Sequence, residues 1–557
     1  LLSNLHAATR PLVGAYGFGV TDLNEAVPGG APAPGAMAAA PKAADAGGST
    51  PAYSGTNTAE PGADEPDLVK TDGHRIVTVT GTTLHVVDAR TRAVTGTLEL
   101  SGYGQPQSLL LAGDRALVLF PWGGTGEIAG PRVLLVDLVP ATPTVLSGYV
   151  TDGSLVDARQ VGTVARVVVR SGPRIRYPLD LGADPAGRVA ANQAAVDRTG
   201  VDDWLPRYSV TGRNGTQTGR VECGAVRLPT RYSGTSLLSV LTFDLSKPAL
   251  SDGDPVTIAA DGQTVYANGT SLYVVNGNQW MAWPQAGFRG PARPFPHQSE
   301  VYQFDISGTG TPRYVAGGVV PGWVVNQYAL SEWQDHLRVA TTLDTGSSQV
   351  AVLGRAGGAL TQVGVVGGLG KGQRIYGVRF AGPVGYVVTF RQTDPLYTLD
   401  LRDPARPRVT GELEIDGYSA YLHPAGDGRL IGVGQAANSQ GRVQGLQVSL
   451  FDVGDPARPS LLARYQLAGS GHSIAEFDPH AFLYWAQTGL VVVPVQGGAV
   501  ALKAGDRSLQ ESGRLPAPQG QPLLRALVVG TTLWSVTGAG LAAADLSSLA
   551  PQAWLAF

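Results

Sequence analysis

The chain has 557 residues, 75 of them Gly and 39 Pro, with 43% hydrophobic side chains and a formal net charge of −3. That charge argues against a nucleic-acid partner held by phosphate neutralisation. Cys223 is the only cysteine, which excludes an internal disulfide and a multi-cysteine metal site. No run reaches the roughly 18 apolar residues that span a bilayer.

In chain order, the first predicted element is a short helix within 1–19, where Leu1, Leu2, Leu5 and Ala8 share one face. Residues 20–52 follow as an Ala/Gly/Pro-rich linker that composition marks as disordered. A helix on such a tether suggests a stalk or spacer ahead of the main body. The chain opens on Leu1, with no Met and no basic n-region, so it reads as a processed or trimmed product.

From 53 to 557 one phrase keeps returning. An apolar run ends in Asp and passes to a small or aliphatic residue, at Asp88, Asp137, Asp244, Asp305, Asp400, Asp452 and Asp545. Short apolar or alternating strands surround each copy, separated by Gly, Asp or Asn turns. A period of roughly 40–50 residues holding several short strands is the signature of a β-propeller. The predicted fold is therefore all-β: a single large β-propeller of nine repeat units. It has eight or nine blades, eight if the first and last units complete one blade between them. Each repeated Asp is expected to accept hydrogen bonds in the tight turn after its strand.

The step from Asp137 to Asp244 carries an insertion at about 172–235. It is partly helical, with Asp184 as N-cap, Pro185 in the first turn and good helix formers from Arg188 to Asp197. Such an insertion in the third blade covers one face of the disc or serves as a packing arm. Further on, 400–407 (DLRDPARP) returns as 452–459 (DVGDPARP). Proline suits the connection between a blade's third and fourth strands, where no ladder donor is required.

Three constellations are candidates for binding or chemistry. Asp64, Glu65, Asp67 and Asp72 crowd four carboxylates beside turn residues, an oxygen-rich stretch of the kind Ca²⁺ takes, though without EF-hand spacing. The alternative is carboxylates that cap backbone N–H groups or pair with Lys70 and Arg75. His423, His472 and His480 fall in consecutive units with Glu476 and Asp478 close by; two His and a carboxylate can hold Zn²⁺ or Fe²⁺. Packed or hydrogen-bonded histidines are the plainer reading. Arg374, Arg379 and Arg391 gather around one strand pair with Asp394. They can face the channel and bind an anion, or join blades through a buried Arg–Asp pair. The ligand-binding candidates are thus Arg379, Arg391, His423, His472, Glu476 and His480. The chain has no G-x-S-x-G elbow and no phosphate loop, and no catalytic residue is assigned.

Segments 55–58 (GTNT) and 64–73 (DEPDLVKTDG) resemble the opening of a secreted bacterial C-terminal β-propeller family distantly related to WD-40 repeats. The likeness continues through 204–208 (WLPRY) and 320–328 (VPGWVVNQY). It is densest between 379 and 424, and it reaches 478–483 (DPHAFL). The resemblance implies export across the cytoplasmic membrane, often with an N-terminal anchor. It brings no activity, cofactor or catalytic residue. The function expected is an exported, non-enzymatic binding or scaffold module for a protein or glycan ligand. Its place would be the cell envelope or the medium, with membrane or wall anchoring through the N-terminus. The alternative is a metal-assisted or carboxylate-dependent hydrolase or lyase acting on envelope polymers.

Overall fold

The computed structural model describes residues 1–18, 52–123, 126–139, 141–178, 182–229, 235–277, 297–390, 394–426, 428–438, 440, 442–469 and 471–557. The linker lies outside them except for its last residue. Among the described residues the chain forms a ring of nine four-stranded antiparallel blades. They cover 69–99, 108–151, 154–259, 264–321, 330–369, 374–415, 418–468, 483–516 and 523–556.

One local rule builds each blade. Its strands follow one another in sequence, so each pairs antiparallel with the last. Second and third strands are continuous apolar runs, such as Arg115–Phe120 and Leu237–Asp244, because neighbouring blades cover both of their faces. Fourth strands such as Ala93–Glu99 form the rim and are largely exposed. Apolar clusters fill the interfaces between successive blades. Val77, Phe120 and Leu134 join the first to the second, and Leu396, Leu430 and Phe451 join the sixth to the seventh.

The ring closes between the ninth blade and the first. Trp534 and Val536 pack against Ile76 and Val87, and the Phe557 ring stacks on His85 at 3.7 Å. The first and last units each have four strands of their own, so they share no blade.

All seven repeated Asp residues end a third strand and cap the turn beyond it. Asp88 accepts from Thr91 N, Asp137 from Val139 N and Asp244 from Ser246 N. Asp305, Asp400, Asp452 and Asp545 accept from Ser307, Arg402, Gly454 and Ser547 in the same way.

The insertion leaves the third blade between Ser171 and Leu237. Its helix, Pro185–Asp197, is capped by the Asp184 carboxylate, which accepts from Gly187 N at 2.8 Å. A hairpin of Arg207–Gly212 and Gly215–Arg220 then joins the outer strand of the second blade, Thr144–Thr151. The N-terminal helix, Leu2–Thr9, is not a stalk held apart. Leu5 and Val13 pack against Val196, Trp204 and Leu205 of the insertion, which buries the helix's apolar face.

Antiparallel order also sorts the connections. Those between second and third strands, and those between blades, leave one end of the ring; the others leave the opposite end. The three longest, 172–236, 277–297 and 469–482, all leave the first of these ends.

Candidate functional site at the hub of the ring

Residues 52–68 precede the first blade and run as a belt along the inner wall of the channel. The belt meets the blades in reverse order. Tyr53 pairs with Val529 of the ninth blade, and Ser54 N donates to Val528 O at 2.9 Å. Asn57 Nδ2 donates to Pro479 O, at the entry to the eighth blade, and to the Tyr421 hydroxyl of the seventh. Ala59 O accepts from Arg379 of the sixth. Glu60 accepts from Ser331 and Tyr266, in the fifth and fourth. Asp64 pairs with Gln160 of the third blade, and Asp67 with Leu109 of the second.

The belt carries its acids into a buried ion-pair network. Glu65 is 2% exposed. Its carboxylate faces His480 Nε2 at 3.2 Å and accepts from Gln327 Nε2 and from Ala59 N. Burial alone would raise its pKa, but Arg159 and His480 lower it to about 2 from an ordinary 4.5. His480 answers in kind. Burial disfavours its charge, yet the carboxylates of Asp67, Asp478 and Glu65 raise it to about 10, so it is an imidazolium. Arg525 donates from Nε to Asp67 at 2.8 Å and from Nη2 to Asp478 at 2.6 Å. Arg159 pairs with Asp157 at 2.7 Å and donates to Val265 O and Gln327. Lys70 Nζ binds Asp64, Thr56 Oγ1 and the Glu65 carbonyl.

The structure therefore brings Glu65, Asp67, Arg379 and His480 to one hub, with Asp64 at its edge. It assigns the other candidates elsewhere. Asp72 caps its own turn, accepting from His74 N and Arg75 N and pairing with Arg75 Nε. The four carboxylates of the acidic motif thus turn to different partners instead of converging on one point, as Ca²⁺ requires. His423 packs on Phe482 and Tyr484, and its Nδ1 shares a hydrogen bond with the Tyr421 hydroxyl at 3.0 Å. Burial, with Arg379 nearby, holds its pKa well below the usual histidine value, so it is neutral. His472 and Glu476 form a separate pair at 3.1 Å in the connection before the eighth blade. Arg391 lies outside the described residues. Among the described residues no group of three or more His, Cys, Asp or Glu is placed to hold a metal ion.

Sequence reasoning missed Arg159, Asp157, Gln327 and Arg525. A signal was present for one of them: Arg525 interrupts an otherwise apolar first strand, Leu523–Val529. Two surface clefts also occur. One, of about 390 Å³, lies under the inserted hairpin between Arg115, Asp137, Arg213 and Leu250. The other, of about 300 Å³, lies between the sixth and seventh blades beside Glu414, Gln447 and Arg464. Neither is lined by hub residues.

A family model described as beta propeller domain matches residues 53–549. An uncharacterised protein of Methanocaldococcus jannaschii is 38% identical over 202 residues, 35% of this chain and 31% of that one. An uncharacterised protein of Archaeoglobus fulgidus is 41% identical over 175 residues, 31% of this chain and 27% of that one. The chain thus matches less than a third of the length of either relative. Among solved structures, Chaetomium thermophilum Sqt1 bound to the N-terminus of ribosomal protein L10 aligns at 10% identity with a TM-score of 0.39. That alignment covers 64% of this chain and 85% of that one. BamB from Moraxella catarrhalis aligns at 14% identity with a TM-score of 0.29, covering 69% and 85%.

Proposed function

The chain belongs to the beta-propeller domain family, and from that premise we propose that it is a non-enzymatic binding module for a protein or glycan ligand. The ligand would sit on the end of the ring that bears the long connections. The observation that carries this reading is the shared end of the three longest connections. A rigid disc with elaborated loops on one end is a common platform for recognition. That end also presents two aromatic side chains to solvent. Trp122, in the connection 121–131, is 70% exposed, and Phe477, in 469–482, is 50% exposed. Exposed aromatic anchors of this kind dominate binding energy at interfaces.

The hub supports the same reading. Its acids and bases already neutralise one another, whereas a hydrolase or lyase needs an ionisable group free to meet substrate. Placement at the cell envelope draws its support from the sequence resemblance. No helix among the described residues is long and apolar enough to cross a membrane. Cell fractionation tests the location.

The binding test uses arrays of envelope glycans and of envelope proteins, probed with the natural chain and with Trp122→Ala and Phe477→Ala. Ligands retained by the natural chain should bind about tenfold more weakly to the variants, the loss of an anchor worth about 1.4 kcal/mol or more. Melting should not change. Unaltered binding by both variants would reject this end of the ring. Turnover of an envelope polymer that disappears in Glu65→Gln would reject the non-enzymatic reading.

A further inference from the structure

A ring of blades has one weak joint. Eight of its nine interfaces lie between units that are consecutive in the chain, so separation there is limited by the connection that joins them. The ninth, the seam between the last blade and the first, has no such connection. A shared blade would lock it, but here both units are complete and no strand crosses. Apolar packing of Ile76 and Val87 against Trp534 and Val536, with the Phe557 ring stacked on His85, is what the seam has of its own.

We propose that residues 52–68 are a closing clasp that takes the place of a shared blade. The belt is continuous with the first blade at one end and bound to the ninth at the other. At the far end Gly530 N donates to Ala52 O at 2.7 Å, beside the Tyr53 and Ser54 contacts. Between these ends it is fastened to the intervening blades, so the seam cannot open unless the belt lifts from the wall. Arg525 adds a rivet at the seam itself. It belongs to the ninth blade, and it grips Asp67, two residues before the first strand of the first blade, together with Asp478 at the entry to the eighth. The physical gain is the one obtained by closing a long loop. Opening the seam would free the ends of a chain several hundred residues long, and the clasp removes that freedom from the folded state's fluctuations.

The clasp makes a prediction that local contacts do not. A lesion in the middle of the belt, far from the seam, must loosen the seam. Asn57 and Glu60 touch the fourth, fifth, seventh and eighth blades. Native-state hydrogen exchange on Asn57→Ala combined with Glu60→Gln should therefore accelerate at Ile76, Val87, Trp534 and Val536 by about tenfold or more. Exchange at Val240 and Phe304, between the third and fourth blades, should stay within about twofold. A second form guards against a variant that fails to fold. Pro61 and Gly62 are exposed, so a protease recognition sequence placed between them can be cut after folding. Exchange before and after cutting is then compared in the same protein. Cutting should give the same seam-selective acceleration. Acceleration confined to the neighbourhood of the lesion, acceleration equal at all interfaces, or none at all would overturn the clasp.

Discussion

Arg525 holds the buried Asp67 carboxylate and the partly buried Asp478 carboxylate, which would otherwise face each other with one cation fewer between them. Removing one partner of such a group costs far more than removing the group whole, because a charge is left buried without compensation. Arg525→Met should lower stability by about 3–5 kcal/mol in urea denaturation. Adding Asp67→Asn should recover part of the loss, since the two positions are coupled. The same network sets a pH window. Glu65 titrates in the folded state at about 2 against an ordinary 4.5, so its contribution is present above 4.5 and fades as pH falls toward 2. His480 is raised from 6.5 to about 10, so its contribution is complete below 6.5 and fades as pH rises toward 10. The urea midpoint should therefore be highest between about 4.5 and 6.5 as far as these two groups decide it. His480→Gln should flatten the alkaline limb and leave most of the acid limb in place. Because Asp64, Glu65, Asp67 and Asp72 are already engaged by side-chain or backbone donors, a chelator should leave the melting temperature unchanged; a marked drop would restore a structural Ca²⁺. At this scale the turn-capping Asp residues were readable, since each acts on its own neighbours. The hub was not. Glu65 and His480 lie 415 residues apart, and Asp67 and Arg525 lie 458 apart.

The repeated DPARP string shows its purpose at the scale of the element. In the connection before Arg408–Ile415, Pro407 lies against Gly364 in the outer strand of the preceding blade. One repeat on, Pro456 O and Pro459 lie in the same way against Gly411. Both glycines flank a bulge where the outer strand slips register, after Val352 in one blade and Thr398 in the next. The bulge bends the rim strand, and the missing side chain makes room for the next blade's loop. A Cβ at Gly411 would stand 2.5 Å from Pro456 O and 2.7 Å from Pro459 Cδ. Gly411→Ala should thus cost about 1–3 kcal/mol. Gly224→Ala, where nothing lies within 4 Å, should change stability by less than about 0.5 kcal/mol. The string's recurrence was plain in the sequence, but its target was not, because the partner glycine sits in another blade. The inserted helix and the inserted hairpin differ for a related reason. Asp184 and Pro185 announce the helix locally. The strands 207–212 and 215–220 are mostly polar, and the sheet they join belongs to the second blade.

For the whole molecule, closure couples what would otherwise be a row of neighbours. An open array of repeats unfolds piecemeal when its interfaces differ in strength. A ring packed at every interface and fastened by a belt should unfold as one cooperative unit. Calorimetry should record a single transition whose calorimetric and van't Hoff enthalpies agree; two resolved transitions would show that the blades are not coupled through the hub. What the residues determined by themselves was the all-β repeat, its blade-sized period and the chemistry of its turns. These depend on alternation, on Gly, Pro and Asp at fixed offsets, and on interactions spanning a few residues. The tertiary structure alone decided that the blades number nine, that the N-terminal helix docks on the insertion, and that the acidic motif forms ion pairs at the hub. Each of these depends on ring closure, which sets residues from opposite ends of the chain side by side and leaves buried charges stable only where a partner arrives from another blade.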